Sequence, residues 1–355
     1  MRVLQLIDSL DAGGAERIAV SYANALTDEI EFSGLIATRK EGQLYNQLNK
    51  SVSYLFLNKK RAIDFKSVFR LRRFIIKNQV AIIHAHGTSF FIAILVKLVF
   101  PKIRIIWHDH YGARSKESKS KNKVLIFCSF FFSSIIAVNL QLKEWSQKNM
   151  LCKKVVFIPN FAAIEDKSKQ TVLKGSENKR IVFLANLKNP KNHIAILKAF
   201  HELKLKDLGW TLHLIGRDYE DNYSQALKDF VNVNLLSNYI YIYGNRSDIQ
   251  FILSQASVGI LASTEEGFPV TLLEYALAGL AVVSSNVGYC SEIIDDEVSG
   301  LLFDPFNGSE IKEKLIKIIE NEPLRNVLAE NFRQNVNENY SEEMVIEKLM
   351  TEYRK

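Results

Sequence analysis

The stretch Thr264-Glu-Glu-Gly-Phe-Pro-Val-Thr-Leu-Leu-Glu274, running through Tyr275-Ala-Leu-Ala-Gly279 into Leu280-Ala-Val-Val-Ser-Ser-Asn286, decides the fold. The apolar run Ser257 to Ala262 ahead of it predicts a short buried strand, and Ser263 to Gly267 the turn that follows. Pro269 suits the first helical turn, where its missing N–H costs nothing. Leu272, Leu273, Tyr275, Ala276 and Leu277 supply an apolar helix face, and Gly279 a stop. Strand, loop, helix and strand in succession mark a parallel α/β sheet. Glu266 then lies in the loop and Glu274 one to two turns inside the helix. Between them sits a helix N-terminus whose free N–H groups carry roughly half a positive charge, a seat for phosphate. Two carboxylates flanking an anion seat suit a ligand with phosphates at its centre and hydroxyls at both ends, such as a nucleotide sugar. Acidic residues also collect at helix starts for electrostatic reasons alone, so the pair by itself assigns no function.

The alternation extends in both directions. Ala162 to Lys179 is polar and poor in aliphatic residues, which predicts a linker. After it, Arg180 to Ala185 predicts a strand, Asn186-Leu-Lys-Asn-Pro-Lys-Asn-His193 its loop, and Ile194 to Leu203 a helix. Trp210 to Gly216 and Tyr239 to Gly244 predict further strands, with Arg217 and Arg246 just past their carboxyl ends. In the first half, Val3 to Ile7 is a strand, Gly13 and Gly14 sit in its loop, and a helix runs from Ile18 to Leu26. The glycine pair allows close backbone approach to a ligand, but the G-x-G-x-x-G of a dinucleotide site is absent. Two strands end in histidine pairs, His84 with His86 and His108 with His110. Open α/β sheets bind ligands at those carboxyl ends, which favours function for the four. Each pair points both rings to one face, yet no Asp-x-Asp and no third ligand at suitable spacing accompanies them, so no metal is expected.

Thr88 to Phe100 predicts an apolar helix, Lys116 to Lys123 a polar loop, and Val124 to Phe132 a helix before a strand at Ser134 to Asn139. The apolar run 124–138 is shorter than the roughly 20 residues a membrane-spanning helix needs. Glu342 to Tyr353 predicts a terminal helix.

The chain's 355 residues, 47% hydrophobic, can bury two ordinary cores. Cys128, Cys152 and Cys290 form no Cys-x-x-Cys, which argues against a disulfide framework and for a reducing compartment. Net charge is +7, but residues 1–165 carry 25 Lys and Arg against 12 Asp and Glu, while residues 166–355 carry 21 against 27. A basic first half fits an anionic partner, and with no nucleic-acid motif present a membrane surface is the expected one. A well-solvated basic surface is the plainer alternative.

The Glu266-x7-Glu274 segment, with Gly-Phe after its first Glu and Ala-Leu-Ala-Gly-Leu-Ala-Val-Val after its second, resembles the signature of glycosyltransferase family 4, retaining enzymes of the GT-B fold. The resemblance runs over nearly the whole chain and implies two Rossmann-like doubly wound parallel-sheet domains facing a central cleft. It implies an acceptor-side domain over 1–163, a linker over 164–179, a nucleotide-sugar domain over 180–335, and a C-terminal helix over 336–355 crossing back to the first domain. Donor contacts are then expected from Gly13, Gly14, Asn186, Lys191, Gly216, Arg217, Arg246, Glu266, Gly267, Phe268, Pro269, Val270 and Glu274. Catalytic roles fall to His108, Glu266 and Lys191, with His110 the register-shifted alternative to His108. His84, His86 and His110 are assigned to the acceptor side. The family loop commonly reads Gly-Arg-Leu; Asn186 stands at the Arg position, so one cationic contact to the diphosphate is missing, and Lys188, Arg217 or Arg246 is a candidate replacement.

The resemblance thus implies transfer of a hexose from a UDP or GDP type sugar to a saccharide or lipid-linked acceptor. No metal and no cofactor beyond that co-substrate is expected. The expected setting is surface polysaccharide or glycolipid assembly, cytoplasmic or peripheral on the inner membrane face. A nucleotide-sugar-binding protein without turnover and a sugar phosphorylase on the same fold are the alternatives.

Overall fold

Short β-branched runs give strands buried on both faces, and the amphipathic segments between them give the covering helices. The computed structural model describes residues 1–11, 13–162 and 169–355. It divides into two units, residues 1–161 with 342–355, and residues 162–341.

In the first unit β1 (Arg2–Ser9), β2 (Phe32–Lys40), β3 (Ser53–Phe56), β4 (Ile82–His86), β5 (Arg104–Asp109), β6 (Ser134–Ala137) and β7 (Val155–Phe157) form a parallel sheet. Its order is β3-β2-β1-β4-β5-β6-β7, so the order reverses between β1 and β4. The helices are α1 (Gly14–Ala25), α2 (Phe65–Lys77), α3 (Phe90–Val99), α4 (Lys123–Cys128) and α5 (Leu140–Asn149). Helices α2 to α5 share one core with the sheet, in which Leu71, Ile92, Ile105, Trp107 and Ile135 are sealed from water. Each such side chain contributes about 1.5–3 kcal/mol of burial. A second core, with Ala19, Val20 and Ala23, sets α1 against β1 and β2.

In the second unit β8 (Arg180–Leu184), β9 (Thr211–Ile215), β10 (Ile240–Gly244), β11 (Val258–Leu261), β12 (Ala281–Ser285) and β13 (Leu301–Phe303) form another parallel sheet, ordered β10-β9-β8-β11-β12-β13. Around it lie α6 (His193–Glu202), α7 (Asn222–Val233), α8 (Ile249–Leu253), α9 (Val270–Leu277), α10 (Cys290–Ile293), α11 (Gly308–Glu320) and α12 (Glu322–Asn339). The last helix, α13 (Glu342–Arg354), belongs to the first unit, where Lys154 pairs with the buried Glu352 at 2.6 Å.

Several boundaries differ from the sequence reading. The helix expected from Ile18 starts at Gly14, with Gly13 as an extended N-cap, so the glycine pair forms the helix start rather than a separate loop. Pro269 is the N-cap of α9, not its first helical residue. α4 ends at Cys128 and tightens into a 3-10 turn over Ser129–Phe131, so the helical run ends at Phe132 as expected. There Ser129 Oγ donates to the Ile126 carbonyl and accepts the Leu151 N–H, competing with the helical ladder. Of the span expected as linker, 164–168 lies outside the described residues. From Gln170 on it is tied to the second unit, with the Gln170 and Thr171 N–H groups donating to Asp248. The boundary expected at 336 falls inside α12, which ends in the second unit. No helix among the described residues is long and apolar enough to cross a membrane.

Candidate active site

In the second unit the order reverses between β8 and β11, so the loops leaving these two neighbouring strands open at a topological switch point, where such sheets hold ligands. Lys191 comes from the first loop and Glu266 from the second. Lys191 Nζ lies 2.6 Å from Glu266 Oε1, with the side chains 25% and 11% exposed. The loops are also joined through their backbones, the Thr264 N–H donating to the Pro190 carbonyl at 2.9 Å.

Neighbouring turns press on both loops. Gly288 has φ +60°, and a Cβ there would sit 2.0 Å from the Glu266 carbonyl oxygen, so only glycine lets the turn after β12 support the Glu266 loop. At Gly216 a Cβ would lie 2.1 Å from the Ala185 carbonyl oxygen. Asn186 Oδ1 accepts the Arg217 N–H at 2.9 Å. The residue at the expected Arg position therefore links two loops. Two cations meet at one ring, with the Arg217 guanidinium 4.9 Å and Lys188 Nζ 5.7 Å from the centre of Tyr219. Arg246 is exposed and bonds the Asn245 carbonyl at 3.1 Å.

α9 begins directly after this loop. Its proline N-cap offers no side-chain cap and its first turn holds no acidic residue, so its N-terminal N–H groups keep their positive potential. Glu274, its fifth residue, is 9% exposed. Phe268 is buried and stacks on Tyr289 at 5.3 Å, while Val270 is partly exposed at the helix start. Cys290, buried beneath the site, has its thiol pushed up to about 12 by burial first and then by the Glu266 carboxylate.

The histidines lie in the first unit. Register pairs His84 with Ile106 and His86 with His108 across β4 and β5, so all four rings share one sheet face. His84, His86 and His108 are wholly buried, and His110, just past β5, is partly exposed. The expected acceptor-side residues His84 and His86 are thus interior groups. His84 Nδ1 lies 2.6 Å from Tyr353 Oη and its Nε2 lies 3.1 Å from His108 Nδ1. His86 Nδ1 lies 2.9 Å from His110 Nε2, and its Nε2 lies 2.8 Å from Gln5 Oε1. Burial disfavours the imidazolium in each, holding His84 and His110 down to about 3 and His86 and His108 well below the usual range.

The third ligand that the spacing did not supply comes from the adjacent strand, because His84, His86 and His108 each bring a nitrogen within 4.8 Å of the others. The rings lie nearly parallel, 15–18° apart for the His84 pairs, and their nitrogens are engaged with one another, Gln5, His110 and Tyr353, except His108 Nε2, which is buried without a partner. That is the arrangement of a hydrogen-bonded stack.

Two family descriptions match the chain, "Glycosyltransferase Family 4" over residues 12–166 and "Glycosyl transferases group 1" over residues 164–335. The chain belongs to glycosyltransferase family 4. It is similar to the N,N'-diacetylbacillosaminyl-diphospho-undecaprenol alpha-1,3-N-acetylgalactosaminyltransferase of Campylobacter jejuni, 32% identical over 187 residues, about half of either chain (49% and 48%). It is similar over more of its length to the Escherichia coli UDP-Gal:alpha-D-GlcNAc-diphosphoundecaprenol alpha-1,3-galactosyltransferase, 23% identical over 91% of this chain and 89% of that one. Among solved structures, Anabaena HepE in complex with UDP and glucose superimposes with a TM-score of 0.84 over the whole of both chains at 15% identity, a likeness of fold. This family 4 enzyme is a glycosyltransferase with the GT-B pair of Rossmann-like sheets.

Proposed function

We propose that this glycosyltransferase moves a hexose from a nucleotide diphosphate sugar to a lipid-linked saccharide acceptor, with retention of the donor's anomeric configuration. The observation that carries the donor site is the Lys191–Glu266 pair at the switch point of the second sheet, one turn ahead of the α9 N-terminus. In this reading the bond between the anomeric carbon and the diphosphate breaks as the acceptor oxygen bonds to that carbon. Negative charge grows on the departing diphosphate, and Lys191 and the α9 N–H groups stabilise it. Glu266 holds sugar hydroxyls and Glu274 the ribose hydroxyls, while Arg217 or Lys188 supplies the cation that Asn186 does not. Because these groups already offer positive charge, no metal is required, and turnover is expected to survive a chelator. Of the two β5-end histidines, His110 is the partly exposed one, while His108 is sealed inside the first unit.

The lipid-linked acceptor draws on the printed substrates of the Campylobacter and Escherichia relatives. Surface observations on the first unit agree with it. Residues 59–123 carry 16 Lys and Arg against 3 Asp and Glu. In and beside this segment, Phe65 and Phe69 on α2, and Phe127 and Phe130 at the end of α4, stand largely exposed. Apolar anchors among cations suit the anionic inner face of a membrane.

The testing experiment is a thermal-shift panel of UDP, GDP, ADP and NAD on the wild type and on Glu274→Ala. A ligand at 100 times its dissociation constant adds about 2.7 kcal/mol. A shift with one nucleotide diphosphate, lost in the variant, supports the donor site; a shift with none, or one that the variant keeps, refutes it.

A further inference from the structure

The sheet of the second unit splits where its order reverses. The register of β8 with β11 runs from Ile181 opposite Val258 to Val182 opposite Gly259 and ends there. Beyond that point β8 stays with β9 as far as Leu184, and β11 with β12 as far as Leu261. Across the gap lies the side chain of Tyr275, the α9 residue next to Glu274. Its hydroxyl accepts the Leu184 N–H at 2.8 Å and donates to the Ile260 carbonyl at 3.0 Å. A direct rung would bring backbone nitrogen and oxygen to about 2.9 Å. Here one oxygen atom is inserted between them. The ring reaches the gap by lying on Gly259, where a Cβ would stand 2.6 Å from it.

We propose that Tyr275 is a positioning residue for the transfer: its hydroxyl stands in for a rung of the sheet and holds β8 and β11 at the separation from which Lys191 and Glu266 meet. The roles of Lys191 and Glu266 rest on the reading given above; the hydroxyl rung does not. Both loops start from the two strand ends that the hydroxyl joins. They stay joined further out, where the Thr264 N–H meets the Pro190 carbonyl and Lys191 Nζ lies 2.6 Å from Glu266 Oε1. Packing alone does not ask for a tyrosine. The side chain is wholly buried, and a phenol there costs more than a phenyl ring unless its hydroxyl is satisfied. Backbone groups on two strands satisfy it as donor and as acceptor, and because neither can turn away, the strands are held at a fixed distance. Without the hydroxyl the Leu184 N–H and the Ile260 carbonyl face a dry gap, and strands that approach to restore a direct bond carry their loops with them.

The test is a double-mutant cycle on the full chain with Lys191→Ala and Tyr275→Phe, the latter removing one oxygen and keeping the ring. Tyr275→Phe should lower kcat about tenfold, the worth of one well-placed hydrogen bond, with little change in the donor KM. In the Lys191→Ala background the same substitution should cost less than about twofold, because the charge it positions is gone. An unchanged kcat, or an equal loss in both backgrounds, overturns the positioning role, since damage to packing alone would be additive. Amide exchange followed by NMR reads the rung itself. In Tyr275→Phe the Leu184 N–H should exchange at least about tenfold faster, while the Ala185 N–H, bonded to the Ile215 carbonyl on β9, keeps its rate. No acceleration at Leu184, or equal acceleration at both, overturns the rung. If the variant does not fold, the wild type decides: a Tyr275 hydroxyl proton that exchanges as fast as that of free phenol overturns the rung, and a slowly exchanging one supports it. Should Lys191→Ala alone keep wild-type turnover, the donor reading fails and the positioning role with it, while amide exchange still decides the rung.

Discussion

Replacing Lys191 by alanine tests the donor site most directly. In the structure Lys191 Nζ sits 2.6 Å from Glu266 Oε1. A unit charge about 4 Å from another at an effective dielectric near 20 interacts by about 4 kcal/mol. Lys191 must relax its hold on Glu266 to meet a diphosphate, so only the difference between the two partners appears in the rate. Removing one preplaced donor of this kind costs about 10²–10³ in turnover, or about 2.7–4 kcal/mol. We expect Lys191→Ala to lose that much in kcat, measured as nucleotide diphosphate release at saturating donor and acceptor, with a far smaller change in KM because the charge matters most as it develops. Lys191→Arg, which keeps the charge but not the shape, should recover part of the loss. The alanine variant leaves Glu266 unpaired at 11% exposure, at a cost of about 1–3 kcal/mol in stability, so rates belong well below its melting temperature. Turnover within about threefold of wild type would refute a transition-state role for this charge.

Stability should fall with acid. Six of the seven histidines, His201 apart, are held neutral mainly by burial. Their folded values lie below the unfolded one near 6.5, so their stabilisation is complete above that pH and is lost as pH falls from there toward about 3. Urea unfolding should show up to about 1.4 kcal/mol lost per pH unit per histidine below pH 6, and a flat profile would contradict it. Gly288→Ala should lower the melting temperature by at least about 4 °C, from a left-handed alanine costing about 1–2 kcal/mol and a Cβ 2.0 Å from the Glu266 carbonyl; an unchanged value would mean the turn moves freely. Phe127→Ser with Phe130→Ser should weaken sedimentation with anionic vesicles at low salt by about tenfold or more, and undiminished binding would place the membrane contact elsewhere.

The part of the fold nearest the Glu266–Glu274 stretch was readable because its signals are local: an apolar run, a turn, a helical face and a terminating glycine. The strand after β1 and the α2 region, residues 27–79, gave no such reading, since β2 and β3 show no clean apolar alternation and are defined by their partners in the sheet. Glu266 and Glu274 were nameable from spacing and Lys191 from the family resemblance, but that Lys191 reaches Glu266 depends on the adjacency of β8 and β11, which lie far apart in the chain. The histidine pairs were visible on their strands, whereas their burial was not. That follows from the β4–β5 register and from Tyr22 and Tyr353, two rings contributed by α1 and α13 that lie over them. Gln5 went unread for the same reason: it is an ordinary polar residue in a strand until the last helix closes over it. Asn186 stood out as a departure from the family pattern, and its hydrogen bond to the Arg217 backbone is a contact that spacing could not show.

The first unit is built from two separated pieces of chain, and this governs the order in which the molecule can be assembled during translation. Residues 162–341, the entire second unit, are synthesised before α13. Until α13 arrives, Lys154 lacks its 2.6 Å carboxylate partner and the Arg104 guanidinium lacks the Tyr353 carbonyl. The nascent first unit therefore lacks these contacts while the second is made, and a chain ending before α13 lacks them permanently.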